Sequence, residues 1–421
     1  MNSLIVELYG HLIGRIEPDK NRLSGFVFTV DSDVFDHYPL SSTVLSIAVP
    51  LNLRFTAMQS RRAVNFFNEL LPEGQNLRWL LETLPDDQRN TYGLLRRYGK
   101  DSAGALMIYE PDDLFDKEKA RIEPADAASI ERLLLNMPLE PLGNWPNSGR
   151  ISLGGVQGKV LLAKQGDKWY RALNGYPSSH ILKPNLNEYP SMIYDECFCM
   201  QLAFNAGLTS FPVWIESFGS MDALVVERFD RDSNLPGERL HMEDFNQALG
   251  ASGDQKYQEV GGKVSAKRIS QALQRFASED DMRSYAKQLV FATAIGNLDM
   301  HAKNTSIFHY PDTRIKLAPV YDQVPLRHQN TDSRMALSIA GEYIHANLSR
   351  SHLVSELLSW QTASYSGDKT TSAFIDEELV AIRDALLQTQ LHDNAYPRLI
   401  EDIHLIIERL LANKPIGRIG S

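Results

Sequence analysis

The chain is poor in cysteine. Cys197 and Cys199, one residue apart, are the only two in 421 residues, so neither a disulfide framework nor a four-cysteine zinc site can be built. A reducing cytoplasm is the expected setting. No stretch reaches the roughly eighteen apolar residues that a membrane span needs, and MNSLIVELYG has no basic segment ahead of an apolar core, so neither a transmembrane helix nor a secretion signal is expected. Positive charge is also in short supply, with 43 Lys and Arg against 53 Asp and Glu and a net charge of −10. That balance excludes a surface that grips nucleic acid all over, and leaves room for a local basic patch or a DNA-binding partner. Internal repeats and low-complexity tracts are missing. What remains, 43% hydrophobic and 23% charged residues, is ordinary for a globular protein, and the length predicts two or three domains.

Short alternating stretches between residues 2 and 31 predict a β-hairpin or meander, and VLSIAVPLNLRF (44–57) is expected to add strands. Helical spacing runs from Ala63 to about Leu84, broken at Pro72 and Gly74, and a further helix over 87–98 leads into the strand-like KDSAGALMIY. A charged, proline-rich connector with one short helix follows over 109–148, and a second unit is expected to begin near Gly149. Strands are predicted at 159–164, 168–172, 179–183 and 222–227, with one helix over 191–206. Helical patterns fit 267–277, 281–296, 350–360, 373–389 and 395–412. The capping-box pair Ser278 and Asp281 starts the second of these. The predicted fold class is therefore α/β plus all-α: an α/β module over 1–112, a small lobe over 113–229 and a helical lobe over 230–421.

The chemistry concentrates in GNLDMHAKNTSIF (296–308) and LAPVYDQVP (317–325). Asp299 is followed five residues later by Asn304, and Asp322 lies eighteen residues beyond, inside a short apolar run. Phosphoryl transfer to a hydroxyl needs a carboxylate to take the hydroxyl proton and an Asn and a second Asp to hold magnesium. Asp299 is the candidate base, Asn304 and Asp322 the candidate metal ligands, and His301 and Lys303 stand where they could meet phosphates. Taken singly, each of these residues is as well explained by an ordinary turn.

ISLGGVQGK offers a second element. Gly154, Gly155 and Gly158, with Val156, Gln157 and Lys159 between and after them, make a turn whose backbone amides can approach phosphate oxygens. It is not a Walker A loop, which needs Gly where Leu153 stands and Ser or Thr where Val160 stands. A plain glycine-bearing hairpin turn is the competing explanation. Lys183 closes the apolar strand SSHILK and needs an anionic partner if buried, with Glu196 on the next helix as the candidate and an exposed strand-end lysine as the alternative. Glu227, Arg228 and Phe229 end the last strand before the helical half, where a connecting backbone would meet an adenine ring. Ser152, beside the glycine turn, is a candidate phosphate acceptor. Cys197 and Cys199 are expected in a helix core, and His241 and His345 as structural or surface residues.

With these residues in hand, the chain resembles the HipA family of bacterial serine/threonine kinases, toxins of type II toxin–antitoxin systems. LYGHLIGRI, FFNELLPEG, GKDSAGAL, ISLGGVQGK, SSHILKP, DECFCMQLA, ALVVERFDR, LHMEDFNQALG, DMHAKN and LAPVYD follow in the family's order over nearly the whole length. The resemblance implies a two-lobed kinase-like fold using ATP and Mg2+, with Asp299 as base, Asn304 and Asp322 on the metal, Lys183 on the phosphates and the 154–159 loop covering them. Ser152 matches the family's autophosphorylated serine, whose modification goes with loop ejection and loss of activity. The implied target is a protein hydroxyl, glutamyl-tRNA synthetase being the family's known substrate, with growth arrest and drug tolerance as the consequence. The implied partner is a HipB-like helix-turn-helix antitoxin, through which DNA is bound. The loop here is richer in glycine, GGVQGK against a common AGAQEK, and the family's basic DNA-contacting residues have no recognisable counterpart. A kinase-derived co-repressor scaffold and an enzyme acting on a small-molecule or lipid hydroxyl are the competing readings.

Overall fold

The computed structural model describes residues 3–19, 25–112, 120–144, 150–185, 189–329 and 333–418. The expected start of a second unit at Gly149, and parts of the 109–148 connector, lie outside them. The described chain is a mixed α/β protein that packs as two compact units: Met1–Pro184 with Trp214–Glu243 and Phe308–Arg314, and Asn185–Val213 with Asp244–Ile307 and Ile315–Ser421. Among the described residues, no helix is long and apolar enough to cross a membrane.

The first unit opens with the expected meander, β1 (Leu4–Leu8), β2 (His11–Pro18) and β3 (Phe26–Val30), followed by α1 (Ala57–Glu69), α2 (Gly74–Glu82), α3 (Thr91–Tyr98) and β4 (Leu106–Tyr109). These strands form an antiparallel sheet in the order β3-β2-β1-β4. The strands expected over 44–57 do not form. Val44, Leu45, Val49 and Leu51 are buried, but their segment pairs with no strand: the Ile47 N–H donates to the Glu243 carboxylate at 2.9 Å and the Leu45 carbonyl meets the His241 imidazole at 2.8 Å. Side chains satisfy that backbone instead of a ladder, and Pro50 would interrupt one. The α1–α2 break falls where Pro72 and Gly74 predict it, and the Thr56–Gln59 capping box starts α1.

A second sheet follows, from β5 (Arg121–Pro124), β6 (Val160–Gln165), β7 (Lys168–Leu173), β8 (His180–Pro184), β9 (Val213–Phe218) and β10 (Met221–Glu227), in the order β5-β7-β6-β8-β10-β9. Helix α4 (Ala127–Leu135), the one short helix of the connector, buries Ile130, Leu133 and Leu134 in a core with Val160, Leu162, Leu182, Phe218 and Val225. The sequence missed β5 and β9, because RIEP and VWIESF lack a clean alternation.

The second unit is mainly helical, as expected. It carries α5 (Met192–Asn205), α6 (Phe245–Ala248), α7 (Ala266–Phe276), α8 (Glu279–Ile295), β13 (Ile315–Leu317), β14 (Arg334–Ile339), β15 (Glu342–Ile344), α9 (Arg350–Ser359), α10 (Asp368–Leu386) and α11 (Leu399–Leu411), while β11 (His241–Asp244) and β12 (Ser306–His309) have residues in both units. Tyr285 of α8 stacks on Trp360 at 5.4 Å between ring centroids. Leu289, Leu353, Leu357, Ile375, Leu379, Ile403 and Ile407 fill the core around the helices. Cys197 and Cys199 are buried and free on α5, and burial pushes the Cys197 thiol up to about 12. They are packing residues, as the sequence predicts. His241 and His345 are likewise buried and structural.

Candidate active site

Helix α8 aims the loop that holds Asp299. Its N-terminus is closed by the Ser278–Asp281 capping box, and the other Asp281 carboxylate oxygen accepts from the Leu317 N–H at 2.9 Å. The helix ends at Gly296, whose φ of +70° is left-handed and whose missing Cβ leaves room for Arg327; a Cβ there would lie 2.8 Å from that side chain. Glycine is therefore required to turn the chain out of the helix.

The loop then closes on itself. The Asn297 Oδ1 accepts from the Asp299 N–H at 2.9 Å, the His301 N–H donates to the Asp299 carbonyl at 2.7 Å, and the Asn304 Nδ2 donates to the same carbonyl at 3.0 Å. The five-residue spacing of Asp299 and Asn304 is thus a hydrogen-bonded turn. Its Asn spends the amide nitrogen on the turn, so only its Oδ1 could hold a cation. The Asp299 side chain is 45% exposed, and the His301 Nε2 stands 3.8 Å from its carboxylate. His301 also meets the Tyr257 ring edge-on. Lys303 is buried with its Nζ 3.2 Å from Asp244, the residue whose carboxylate also caps α6.

Asp322 follows Tyr321, whose hydroxyl donates to the Lys303 carbonyl at 2.7 Å and lies 2.6 Å from the Ser306 hydroxyl. Burial raises the Tyr321 phenol well above its ordinary range, so it stays a neutral donor. Asp322 itself has φ +54°, a left-handed conformation that aspartate tolerates better than most residues but still at a cost of order 1 kcal/mol. Gln323 links the two segments: its Oε1 accepts from Asn297 at 3.2 Å and its Nε2 donates to the Tyr321 carbonyl at 2.9 Å. Asn297 and Gln323 are both buried. A fully satisfied buried polar pair of this kind ties the Asp299 loop to the Asp322 segment in one arrangement.

The first unit holds the glycine loop. The Lys159 Nζ donates to the Gly154 carbonyl at 2.6 Å, the Glu73 N–H to the Gly155 carbonyl at 3.2 Å, and the Asn76 Nδ2 to the carbonyls of Val156 and Gln157, each at 3.0 Å. Four consecutive carbonyls therefore accept from donors of this unit. Among the described residues, the N–H groups of 154–158 have no backbone acceptor. Gly155, at φ +105°, lies so close to the lysine that a Cβ would come within 2.6 Å of Nζ. Its carbonyls thus face protein donors, the arrangement an anion-binding turn needs as well as one that a packed hairpin turn can take.

Ser152 is buried beside this loop. Its Oγ donates to the Leu70 carbonyl at 3.1 Å and its N–H to the Asp101 carbonyl at 2.8 Å. Lys183 is 7% exposed on β8, opposite Leu224 of β10, which removes the exposed strand-end alternative. Glu196 is 1% exposed on α5 in the second unit, so it is not on a solvated face.

Glu227 ends β10 at the surface, and the Phe229 ring lies 6.0 Å from that of Phe308. Arg228 does something the sequence did not disclose. Its guanidinium is buried, donates twice to Asp230 at 2.7 and 2.9 Å, and also reaches the Ser178 hydroxyl and the Ser102 carbonyl. That side chain is spent on the first unit's interior and the Arg228 N–H donates to the Ser179 carbonyl at 2.9 Å, which leaves only its backbone carbonyl for a ligand. Asp101 completes the cluster with Arg231 at 2.8 Å, Arg239 at 3.4 Å and the Ser178 hydroxyl at 2.6 Å. Burial opposes its ionisation, but Arg231, Arg228 and Arg239 outweigh burial and hold its carboxyl below the ordinary range.

Sequence reasoning missed Asn76, Asp101, Asp244, Asn297, Tyr321 and Gln323. Asn297 and Gln323 carried a signal, being amides inside the apolar runs GNLDM and VYDQVP. Asp244 stands where a cap is expected before DFNQAL. Asn76, on an amphipathic helix, carried none.

Comparison with known proteins identifies the family. A model of the HipA-like C-terminal domain matches residues 151–386, and one of the HipA N-terminal domain matches residues 4–109. The putative kinase Y4mE of Sinorhizobium fredii is 32% identical over 78% of this chain and 79% of its own length. The serine/threonine-protein kinase toxin HipA of Shewanella oneidensis is 31% identical over 73% of this chain and 71% of its own. A solved structure of the Shewanella HipA, in a complex with HipB and operator DNA, aligns with a TM-score of 0.77 at 25% identity over 97% of this chain and 96% of that one. With both domains matched in order along one chain, and relatives named as kinases, this chain belongs to the HipA family.

Proposed function

We propose that this protein is an ATP- and Mg2+-dependent serine/threonine protein kinase of HipA type, the toxin of a toxin–antitoxin pair, working in the cytoplasm. The observation that carries the reading is the closed Asp299–Asn304 turn joined through Asn297 and Gln323 to the segment of Asp322. Asp299, the half-exposed carboxylate of that turn, takes the proton of the acceptor hydroxyl as its oxygen bonds to the γ-phosphorus; the bond from that phosphorus to the ADP oxygen breaks and ADP leaves. Asn304 Oδ1 and Asp322 fit a hard cation that prefers oxygen ligands and takes the rest of its shell from phosphates and water. When bound, Mg2+ neutralises charge on the phosphates. Lys183, and the free amides of residues 154–158, hold the nucleotide phosphates, Lys159 keeps that loop in shape, and Lys303, neutralised by Asp244, and His301 line the turn. Glu227 and Phe229 flank the base, with Arg228 contributing backbone only.

Ser152 is the autophosphorylation site, and its buried hydroxyl means that modification requires the 150–158 segment to release Leu70 and Asp101. The acceptor is a protein, with glutamyl-tRNA synthetase the first to test, and a HipB-like helix-turn-helix antitoxin carries the contact with DNA. The division 1–112, 113–229 and 230–421 is the functional one we assign: regulatory module, nucleotide lobe and catalytic lobe.

Intact mass and peptide mapping before and after Mg-ATP test the reading. The wild type gains phosphate on Ser152, and Asp299→Asn loses transfer by about a thousandfold while keeping its fold. Full activity in Asp299→Asn overturns the assignment of the base. No phosphate and no nucleotide binding by the wild type favours the co-repressor scaffold, and transfer to a sugar or lipid acceptor in parallel assays favours the small-molecule reading.

A further inference from the structure

We infer that Asn76, on helix α2 of the N-terminal module, is a positioning residue that sets the orientation of the glycine loop and thereby the affinity for nucleotide phosphates; this rests on the kinase reading above. A glycine-rich loop has little conformational preference of its own. Anion binding by consecutive amides requires that the carbonyls alternate away from them or be held elsewhere, because a carbonyl turned inward places negative charge against the phosphate. Here three of the four carbonyls are held from one place. The Glu73 N–H, at the start of α2, takes that of Gly155, and the Asn76 side chain, one turn further along, takes those of Val156 and Gln157 with a single NH2 group. Only the Gly154 carbonyl is held from within the loop, by Lys159.

The position makes the contact specific. Asn76 is 2% exposed, so its amide has no water to exchange for the loop. Val156, at the tip, is 56% exposed and cannot anchor the loop by burial. The start of α2 contributes in the same sense, since the partial positive charge of a helix N-terminus favours carbonyl oxygens. The segment leading to α2 also supplies Leu70, whose carbonyl accepts from Ser152. One stretch of the N-terminal module, from Leu70 to Asn76, therefore holds both the loop and the buried serine beside it.

The test compares wild type, Asn76→Leu and Asn76→Ala with Leu80→Val, which loosens the same helix without touching the loop. Titration calorimetry with Mg2+ and the ATP analogue adenylyl imidodiphosphate, and separately with adenosine, reads the phosphate and base contributions apart. Hydrogen exchange at residues 154–158 reads the loop directly. Loss of two hydrogen bonds to the loop is expected to weaken the analogue by about tenfold, leave adenosine unchanged, and speed exchange at 154–158; Leu80→Val shows none of these. Equal loss for adenosine and the analogue, or equal effects in Leu80→Val, overturns the inference and reduces Asn76 to a structural residue. Wild-type binding matched by both Asn76 variants overturns the inference alone. A wild type that binds no nucleotide overturns the kinase reading, and the inference with it.

Discussion

The two loops proposed to carry the reaction are built on opposite principles. The Asp299 loop is closed chiefly by its own residues: Asn297, Asp299, His301 and Asn304 bond one another within eight positions, and Gln323 adds a single link from farther along. The glycine loop is held from some eighty residues upstream, by Glu73 and Asn76, with Ser152 anchored to Leu70 and Asp101. A self-closed turn keeps its shape wherever its residues occur together, and a remotely held loop can be released without unfolding anything else. The first suits the proposed catalytic base, which must not move; the second suits a loop whose serine we propose is modified.

The largest effect should come from the buried ion cluster behind Ser152. Asp101→Asn leaves Arg231, Arg228 and Arg239 without their shared carboxylate, which should cost about 3–5 kcal/mol, read as a lower urea midpoint. If the variant unfolds at the wild-type midpoint, the cluster does not hold the glycine-loop side of the molecule, and the contrast between the two loops weakens.

Acid should act next. Burial lowers His241 to about 3, and His180 and His345 to about 4, below their ordinary 6.5. Between those values the unfolded chain binds more protons than the folded one, so unfolding free energy falls as pH drops from about 6.5 to 4, by up to about 3 kcal/mol for each histidine. Asp101, held below the carboxylate range, contributes stability above about pH 4 that is lost on further acidification. Urea midpoints between pH 7 and 4 check the sign; a flat profile would mean that these histidines are not buried neutral.

The smallest effect separates the loops most cleanly. Gln323→Ala leaves the buried Asn297 amide unpartnered, at about 1–3 kcal/mol, and should slow phosphoryl transfer about tenfold while hydrogen exchange at 154–158 stays at the wild-type rate. Faster exchange there would show that the two loops are not independently held.

Much of this was legible in the sequence. The meander of β1–β3, the α1–α2 break at Pro72 and Gly74, the capping box of α8 and the Asp299–Asn304 turn all depend on residues a few positions apart, so local pattern reports them. The stretch 44–57 deceived because a short run of apolar residues looks the same in sequence whether a ladder or the side chains of Glu243 and His241 bond its backbone. Arg228 deceived for a similar reason: a cation at a strand end looks available until Asp230, Ser178 and Ser102 are seen to consume it.

By itself, then, the sequence determined the strongly periodic elements and which residues of the Asp299 turn face one another, since hydrogen bonds across one to five residues and hydrophobic periodicity are properties of the chain locally. Only the tertiary structure decided which carbonyls Asn76 accepts responsibility for, where Ser152 is hidden and how Asp101 gathers three arginines. Those partners lie 51 to 138 residues apart, and no local pattern encodes a pairing that depends on where the sheets and helices bring distant segments together.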